Sequence, residues 1–229
     1  MTTPVSASLR STPNPFATRY TKPSAGEYLF PDDADAGAET LLARLREFQW
    51  WGQITGPHGS GKSTLVQMLL PRLEAAGRVI DFYAFRADPP PLLLASASSG
   101  LRPARVACWT RTTQIVVDGY EQLGWLQRTW WKWQCRRRGA GLLVTGHDDL
   151  GFPPLWRTET SAEVTRRVVA RLLDQADASW LAAEQLDHLF ATHEGNVREV
   201  LFALYDLYEQ RHRHVLADDE SIGKRNEPE

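Results

Sequence analysis

Apolar residues recur along this chain with two periods, and the alternation between them sets out the elements. Leu41, Leu42, Leu45 and Phe48 share one face of a short helix over 40–48. Trp50–Thr55 is a strand-like run, and Leu65, Met68, Leu69 and Leu73 then return at helical spacing over 64–74. Pro71 lacks a backbone donor, so this helix is expected to kink or end near it, and Gly77 is the expected terminator. Arg78–Phe85 reads as a strand, and Asp88 with the prolines 89–91 breaks it. Residues 92–112 are the least legible part, with Arg105–Trp109 expected as a short extra strand. Gln114–Asp118 is a β-branched run ending in an acid. Glu121–Arg138 follows as a helix expected to pack on a sheet, with Leu123, Leu126, Trp130 and Trp133 in phase. The glycines at 139 and 141 break it, and Leu142–Thr145 is a further strand.

From residue 160 onward the period is helical only. Thr160 and Glu163 have the spacing of a capping box, ahead of Val164, Val168 and Leu172 on one face. Leu186, Leu189 and Phe190 mark a second helix, and Gly195-Asn196 punctuates. Val200, Leu201, Leu204 and Tyr208 mark a third helix starting at Val197. Strands alternating with helices imply an α/β fold, a parallel sheet covered by helices on both faces. A small all-helical part completes it. The expected divisions are a disordered segment 1–14, a core with an N-terminal arm over 15–158, a helical segment 159–210 and a flexible polar tail 211–229.

Composition narrows the class. A formal charge of −2 over 229 residues implies no bulk attraction to nucleic acid. Cys108 and Cys135 lack metal-ligand spacing and suit a reducing compartment. The N-terminal stretch lacks the pattern of a secretory signal, and no apolar run is long enough to span a bilayer. The expectation is a cytoplasmic protein without a membrane partner.

The chemistry is concentrated at 56–63. Gly56, Pro57, His58, Gly59, Ser60, Gly61, Lys62 and Ser63 form a complete G-x-x-x-x-G-K-[ST] phosphate loop, followed by Thr64 on the helix. Glycines let the backbone turn tightly and approach oxygen atoms closely. Successive N–H groups and the positive end of the following helix then face the phosphates. Lys62 is expected at the β- and γ-phosphates, and Ser63 on Mg²⁺. Strand, glycine loop and helix are the order such a motif needs. Asp118 closes an apolar strand at the carboxyl edge of the sheet, where a second acid would hold Mg²⁺ through water. Glu121, three residues on, is a candidate to orient the attacking water, or else a helix-start carboxylate that favours the local dipole. Thr145, with His147 close behind, ends the next strand and is a candidate to reach the γ-phosphate or its water.

Over about residues 40–210 these pieces resemble an AAA+ ATPase, a P-loop NTPase with a helical lid. Gly56–Ser63 corresponds to the Walker A loop, Ile115–Asp118 to the Walker B strand and Thr145 to the sensor 1 position. Gly195-Asn196-Val197-Arg198 is similar to the start of the sensor 2 helix in replication initiators, origin-recognition ATPases and enhancer-binding ATPases. The resemblance implies that Arg198 touches the γ-phosphate and reports nucleotide state to the lid. It also implies that residues 15–30 form the arm around the adenine, with Tyr28 or Phe30 either stacking on the base or packing against the sheet.

Two departures bear on activity. The glutamate that usually follows the Walker B acid is Gly119 here, closer to the Asp-Gly-x-x pattern of STAND-type ATPases, so either Glu121 substitutes or hydrolysis is slow. An arginine finger is not evident; Arg157 either serves as one or ends a fifth strand. ATP is expected rather than GTP because no guanine-specific Asn/Thr-Lys-x-Asp motif occurs. The expected function is ATP binding with slow hydrolysis, coupled to lid closure and to remodelling or switching of a protein partner. The alternatives are a nucleotide-gated switch without turnover and a small-molecule kinase. A nucleotide-dependent homo-oligomer is compatible with this reading. Nucleic acid is the disfavoured partner: the aromatics of Trp130–Arg138 are expected to pack on the sheet, and its three arginines to sit at a helix C-terminus.

Overall fold

The computed structural model describes residues 14–22, 27–31, 37–85, 106–173 and 180–225, with side chains to 213. The expectations for 1–13, for the proline break at 88–91 and for 226–229 lie outside these residues. The chain divides into two compact units, Glu27–Glu159 and Met1–Gly26 with Thr160–Glu229.

The first unit is built on five parallel strands. Helix α1 (Ala38–Glu47) leads into β1 (Trp51–Thr55), and α2 (Lys62–Ala75) leads into β2 (Val79–Ala84). Then come β3 (Thr113–Asp118), a 3₁₀ turn (Tyr120–Gln122), α3 (Trp125–Arg138), β4 (Gly141–Gly146) and β5 (Pro154–Arg157). The order across the sheet is β2-β3-β4-β1-β5, and every pairing is parallel. The acid-bearing strand β3 and the loop-bearing strand β1 are therefore separated by β4 alone.

Side-chain alternation explains why helices cover both faces. Val116 and Leu143 point into a core with Leu41, Leu45, Leu65 and Leu69 of α1 and α2. Their neighbours Ile115, Val117, Leu142 and Val144 point the other way, into a core with Trp131 and Cys135 of α3.

Two local expectations are corrected, and one at α2, the terminator Gly77, holds. Helix α2 runs through Pro71 to Ala75, and Gly77 at φ +81° then closes it, with Arg78 N–H donating to the Leu73 carbonyl at 3.0 Å. The extra strand expected at 105–109 is instead a helical turn at Val106–Ala107. There Trp109 stacks on Trp131 and donates its indole N–H to Asp81 at 2.7 Å, which holds the segment against α3. On α3 the in-phase set is not the packed face: Trp131 and Cys135 are buried, while Leu126, Trp130 and Trp133 face solvent.

The second unit holds α4 (Ala162–Leu173), α5 (Ala183–Thr192) and α6 (Val197–Arg225), packed around Val169, Leu186, Val200, Leu204 and Tyr208. The cap of α4 is Ser161, whose hydroxyl accepts from Val164 N–H at 3.1 Å; Thr160 does not serve. The buried positions of α4 are Thr165, Val169 and Leu173, one residue along from the expected face. The polar stretch after 210 continues α6 without a break to Arg225. Residues 14–22 belong to this unit: Phe16 is buried in its core, and Asn14 donates to the Tyr205 carbonyl at 3.1 Å and to Glu209 at 2.8 Å.

Candidate functional site

The carboxyl ends of β1, β3, β4 and β5 converge on residues 56–63. Gly56 leaves β1 at φ +148°, a conformation that L side chains rarely adopt, and Thr158 fills the space that a β-carbon would need. Ser60 fastens the middle of the loop: its hydroxyl donates to the Pro57 carbonyl at 2.8 Å and also meets the Thr158 hydroxyl. Thr158 is fully buried and is held in turn on the Thr55 carbonyl. Gly59 and Gly61 also take positive φ, at +70° and +88°.

The loop ends as the N-terminus of α2. Four amides at a helix start lack intrahelical acceptors and need partners from elsewhere. No side chain caps α2, and the amides of Gly61, Ser63 and Thr64 have no acceptor among the described residues. Lys62 folds back over the loop, donating from Nζ to the carbonyls of Gly56 and Pro57, both at 2.7 Å. The result is a concave set of donors with one ammonium group at its rim, which suits a polyanion.

Tyr28 closes one side. Its ring stands 3.1 Å from where a β-carbon on Gly61 would be, and its hydroxyl accepts the Trp156 indole N–H at 3.2 Å. Burial raises the Tyr28 pKa. Phe30 packs edge-on between Tyr28 and Trp156. Both aromatics of the expected adenine arm are thus engaged with protein rings.

Asp118 ends β3 half-buried, and its carboxylate accepts the Thr145 hydroxyl at 2.6 Å. The same hydroxyl accepts Gly119 N–H at 2.8 Å. Thr145 therefore orients the acid from the neighbouring strand. Gly119 has φ +85°, and the Phe85 carbonyl lies where its β-carbon would go. Phe85 N–H also donates to the Asp118 carbonyl at 2.8 Å, so β2 continues against this turn. A side chain at 119 would have to displace the Phe85 carbonyl, so this turn favours glycine.

Glu121 lies on the 3₁₀ turn. Arg128 fixes that turn from α3, donating to the carbonyls of Glu121 at 2.6 Å and Leu123 at 2.8 Å. The Glu121 carboxylate turns toward β4, where Oε1 lies 3.0 Å from Nε2 of His147. His147 Nδ1 lies 3.2 Å from the Gly56 carbonyl and 3.4 Å from Lys62 Nζ. The His58 and His147 rings are 3.6 Å apart. Glu121 thus reaches the phosphate loop through His147. Gln53 of β1 supports the segment after His147, donating to Asp149 and accepting from Leu150 N–H, both at 2.8 Å. That hydrogen bond holds the Asp149 carboxyl below its usual range, with Gly151 N–H adding to it.

The structure brings together Gly56–Thr64, Asp118, Glu121 and Thr145. Arg198 belongs to the second unit, exposed in the first turn of α6. The Gly195-Asn196 pair before it has a local reason: Gly195 closes α5 at φ +76°, and Asn196 caps α6, accepting from Arg198 N–H at 3.1 Å. Arg157 ends β5 and is exposed. Sequence reasoning missed His147, Thr158 and Arg128 as site residues. His147 alone carried a signal, two positions beyond the polar end of β4.

No protein-family model and no curated protein matches the chain. Among solved structures, the crystal structure of a DNA replication initiation factor aligns with a TM-score of 0.53 at 16% identity, over 85% of this chain and 70% of that one. The likeness shows the fold alone, an α/β architecture with a P-loop NTPase-type parallel sheet flanked by helices. No helix among the described residues is long and apolar enough to cross a membrane.

Proposed function

We propose that the protein binds ATP with Mg²⁺ at the phosphate loop and hydrolyses it slowly. The observation that carries the reading is the uncapped start of α2, with donors at Gly61, Ser63 and Thr64 and Lys62 resting on the loop's own carbonyls. A triphosphate would satisfy those amides and draw the ammonium off Gly56 and Pro57. Ser63 and Asp118 are the residues that would hold Mg²⁺, which when bound neutralises charge on the phosphate oxygens. Thr145 holds one Asp118 oxygen, which fixes the orientation of the carboxylate that would help hold the ion. Glu121 would accept a proton from the attacking water, oriented by His147. Its position three residues beyond Asp118, on a turn and not at the strand end, is the reason to expect low turnover. The same observation favours a second reading, a nucleotide-gated switch with negligible hydrolysis. The proposed role of Arg198 rests on the sequence resemblance.

The test is ATP affinity of wild type and Lys62→Ala with Mg²⁺ present. Loss of a hydrogen-bonded charge should weaken binding about tenfold or more; equal affinities overturn the proposal. Turnover of γ-labelled ATP then separates free phosphate (ATPase), no product (switch) and a labelled acceptor (kinase).

A further inference from the structure

Helix α3 has two apolar stripes and buries one. Trp131 and Cys135 face the sheet. On the opposite side Leu126, Trp130, Trp133 and Arg137 follow at i, i+4, i+7 and i+11, the spacing of a single helical face. Leu126 is 62% exposed, Trp130 39% and Trp133 51%; Trp125, the residue before Leu126 and about 100° round the helix from it, is 73% exposed beside this face. Exposed indoles grouped this way mark a contact surface.

Charge identifies the kind of partner. Every ionisable side chain of α3 other than the buried Cys135 thiol is basic: Arg128, Lys132, Arg136, Arg137 and Arg138, in a chain whose net charge is −2. None of the five is ion-paired among the described residues. A second copy of the helix would set cation against cation. A lipid surface takes a helix with cations on the polar face and aromatics on the other. Here the Arg137 guanidinium lies over the Trp133 ring, 5.3 Å from its centroid, so cation and aromatic share one face. That combination fits unpaired bases stacking on indoles while guanidinium groups meet the phosphates. Of the aromatics expected to pack on the sheet, Trp131 does so and Trp130 and Trp133 do not, while the three arginines end the helix as expected.

We propose that the outer face of α3, centred on Trp130, Trp133 and Arg137, binds single-stranded nucleic acid. The proposal is independent of the ATP reading, and its test omits nucleotide. The full chain is titrated against fluorescein-labelled oligothymidylate of about 20 nucleotides, longer than an ordinary single-strand site. Anisotropy should rise and binding should weaken with salt, with a log–log slope of about −0.7 for each phosphate that a cation of this face, Arg137 first, neutralises. Trp133→Ala should weaken binding about tenfold and Trp133→Phe much less, since either ring can stack. Arg137→Ala should flatten the slope by about 0.7. Trp125→Ala, at the most exposed indole, gives a second reading with the least risk to folding. No binding at about 100 µM protein, weaker than ordinary non-specific association, overturns the proposal. So does wild-type affinity in both Trp133→Ala and Trp125→Ala. Tighter binding to phosphatidylserine vesicles or to polyglutamate overturns it in favour of a membrane or an acidic protein.

Discussion

The imidazole of His147 bridges the Glu121 carboxylate, 3.0 Å from Nε2, and the Gly56 carbonyl, 3.2 Å from Nδ1. Donating to both requires the doubly protonated ring; in the singly protonated form with the proton on Nε2, Nδ1 accepts from Lys62 instead. In either state the ring carries the position of the loop to the carboxylate. Replacing it tests whether Glu121 acts on water. We expect His147→Ala to lower kcat about tenfold, less than the ~10²–10⁴ that a general base contributes because Glu121 itself remains, while ATP affinity stays within about threefold. Glu121→Gln should lower kcat at least as far. Steady-state phosphate release with parallel binding titrations checks this, and unchanged kcat in both variants removes Glu121 and His147 from the mechanism.

Gly119 is fixed by its neighbours. Alanine there must take φ +85° and displace the Phe85 carbonyl. The cost should be about 1–3 kcal/mol, lowering Tm by roughly 3–10 °C in a chain of this size. Gly37→Ala meets open space and serves as the control. Equal melting temperatures for the two variants would show that the turn is not under this constraint.

Thr145 is buried with both of its hydrogen bonds spent on the Asp118 turn. Thr145→Val keeps the shape but leaves Gly119 N–H and an Asp118 oxygen without partners. That should cost about 1–3 kcal/mol and reduce Mg²⁺-dependent ATP affinity, whereas Thr145→Ser restores both. Denaturant titration and nucleotide binding at varied Mg²⁺ measure the two effects. A valine variant as stable as wild type contradicts the assignment.

The two thiols should react differently. Cys108 is exposed; Cys135 is buried, and desolvation pushes its pKa up to about 12. A thiol reagent should label one cysteine in the native protein and two in denaturant, read by mass spectrometry. Because the folded value lies above the unfolded one, this contribution to stability is fully present below about pH 8.5 and is lost as pH rises toward 12. Cys135→Val should flatten the alkaline arm of a Tm–pH profile. Rapid native labelling of Cys135 would contradict its burial.

The sheet, the phosphate loop and Asp118 were legible because each depends on local pattern: β-branched runs, glycine spacing and an acid at a strand end. The orientation of α3 was not. Two stripes of the helix qualify as apolar, and periodicity gives their phase without saying which meets the sheet. Arg128 and Lys132 tip the balance by lying half-buried beside Trp131, with Lys132 4.3 Å from the Phe152 ring centroid and Arg128 bonded to backbone carbonyls. The cap at Ser161 was missed because two adjacent hydroxyl residues could each serve. The Glu121–His147 pair is 26 positions apart, across helix α3 and strand β4, a relation that one sequence does not encode locally.

Gln53 gives the arrangement a further property. Lying in β1, just before the phosphate loop, it also grips Asp149 and Leu150 beyond His147. Donor cradle and imidazole thereby share one foundation, so a disturbance of that strand would shift both together and leave their mutual spacing intact.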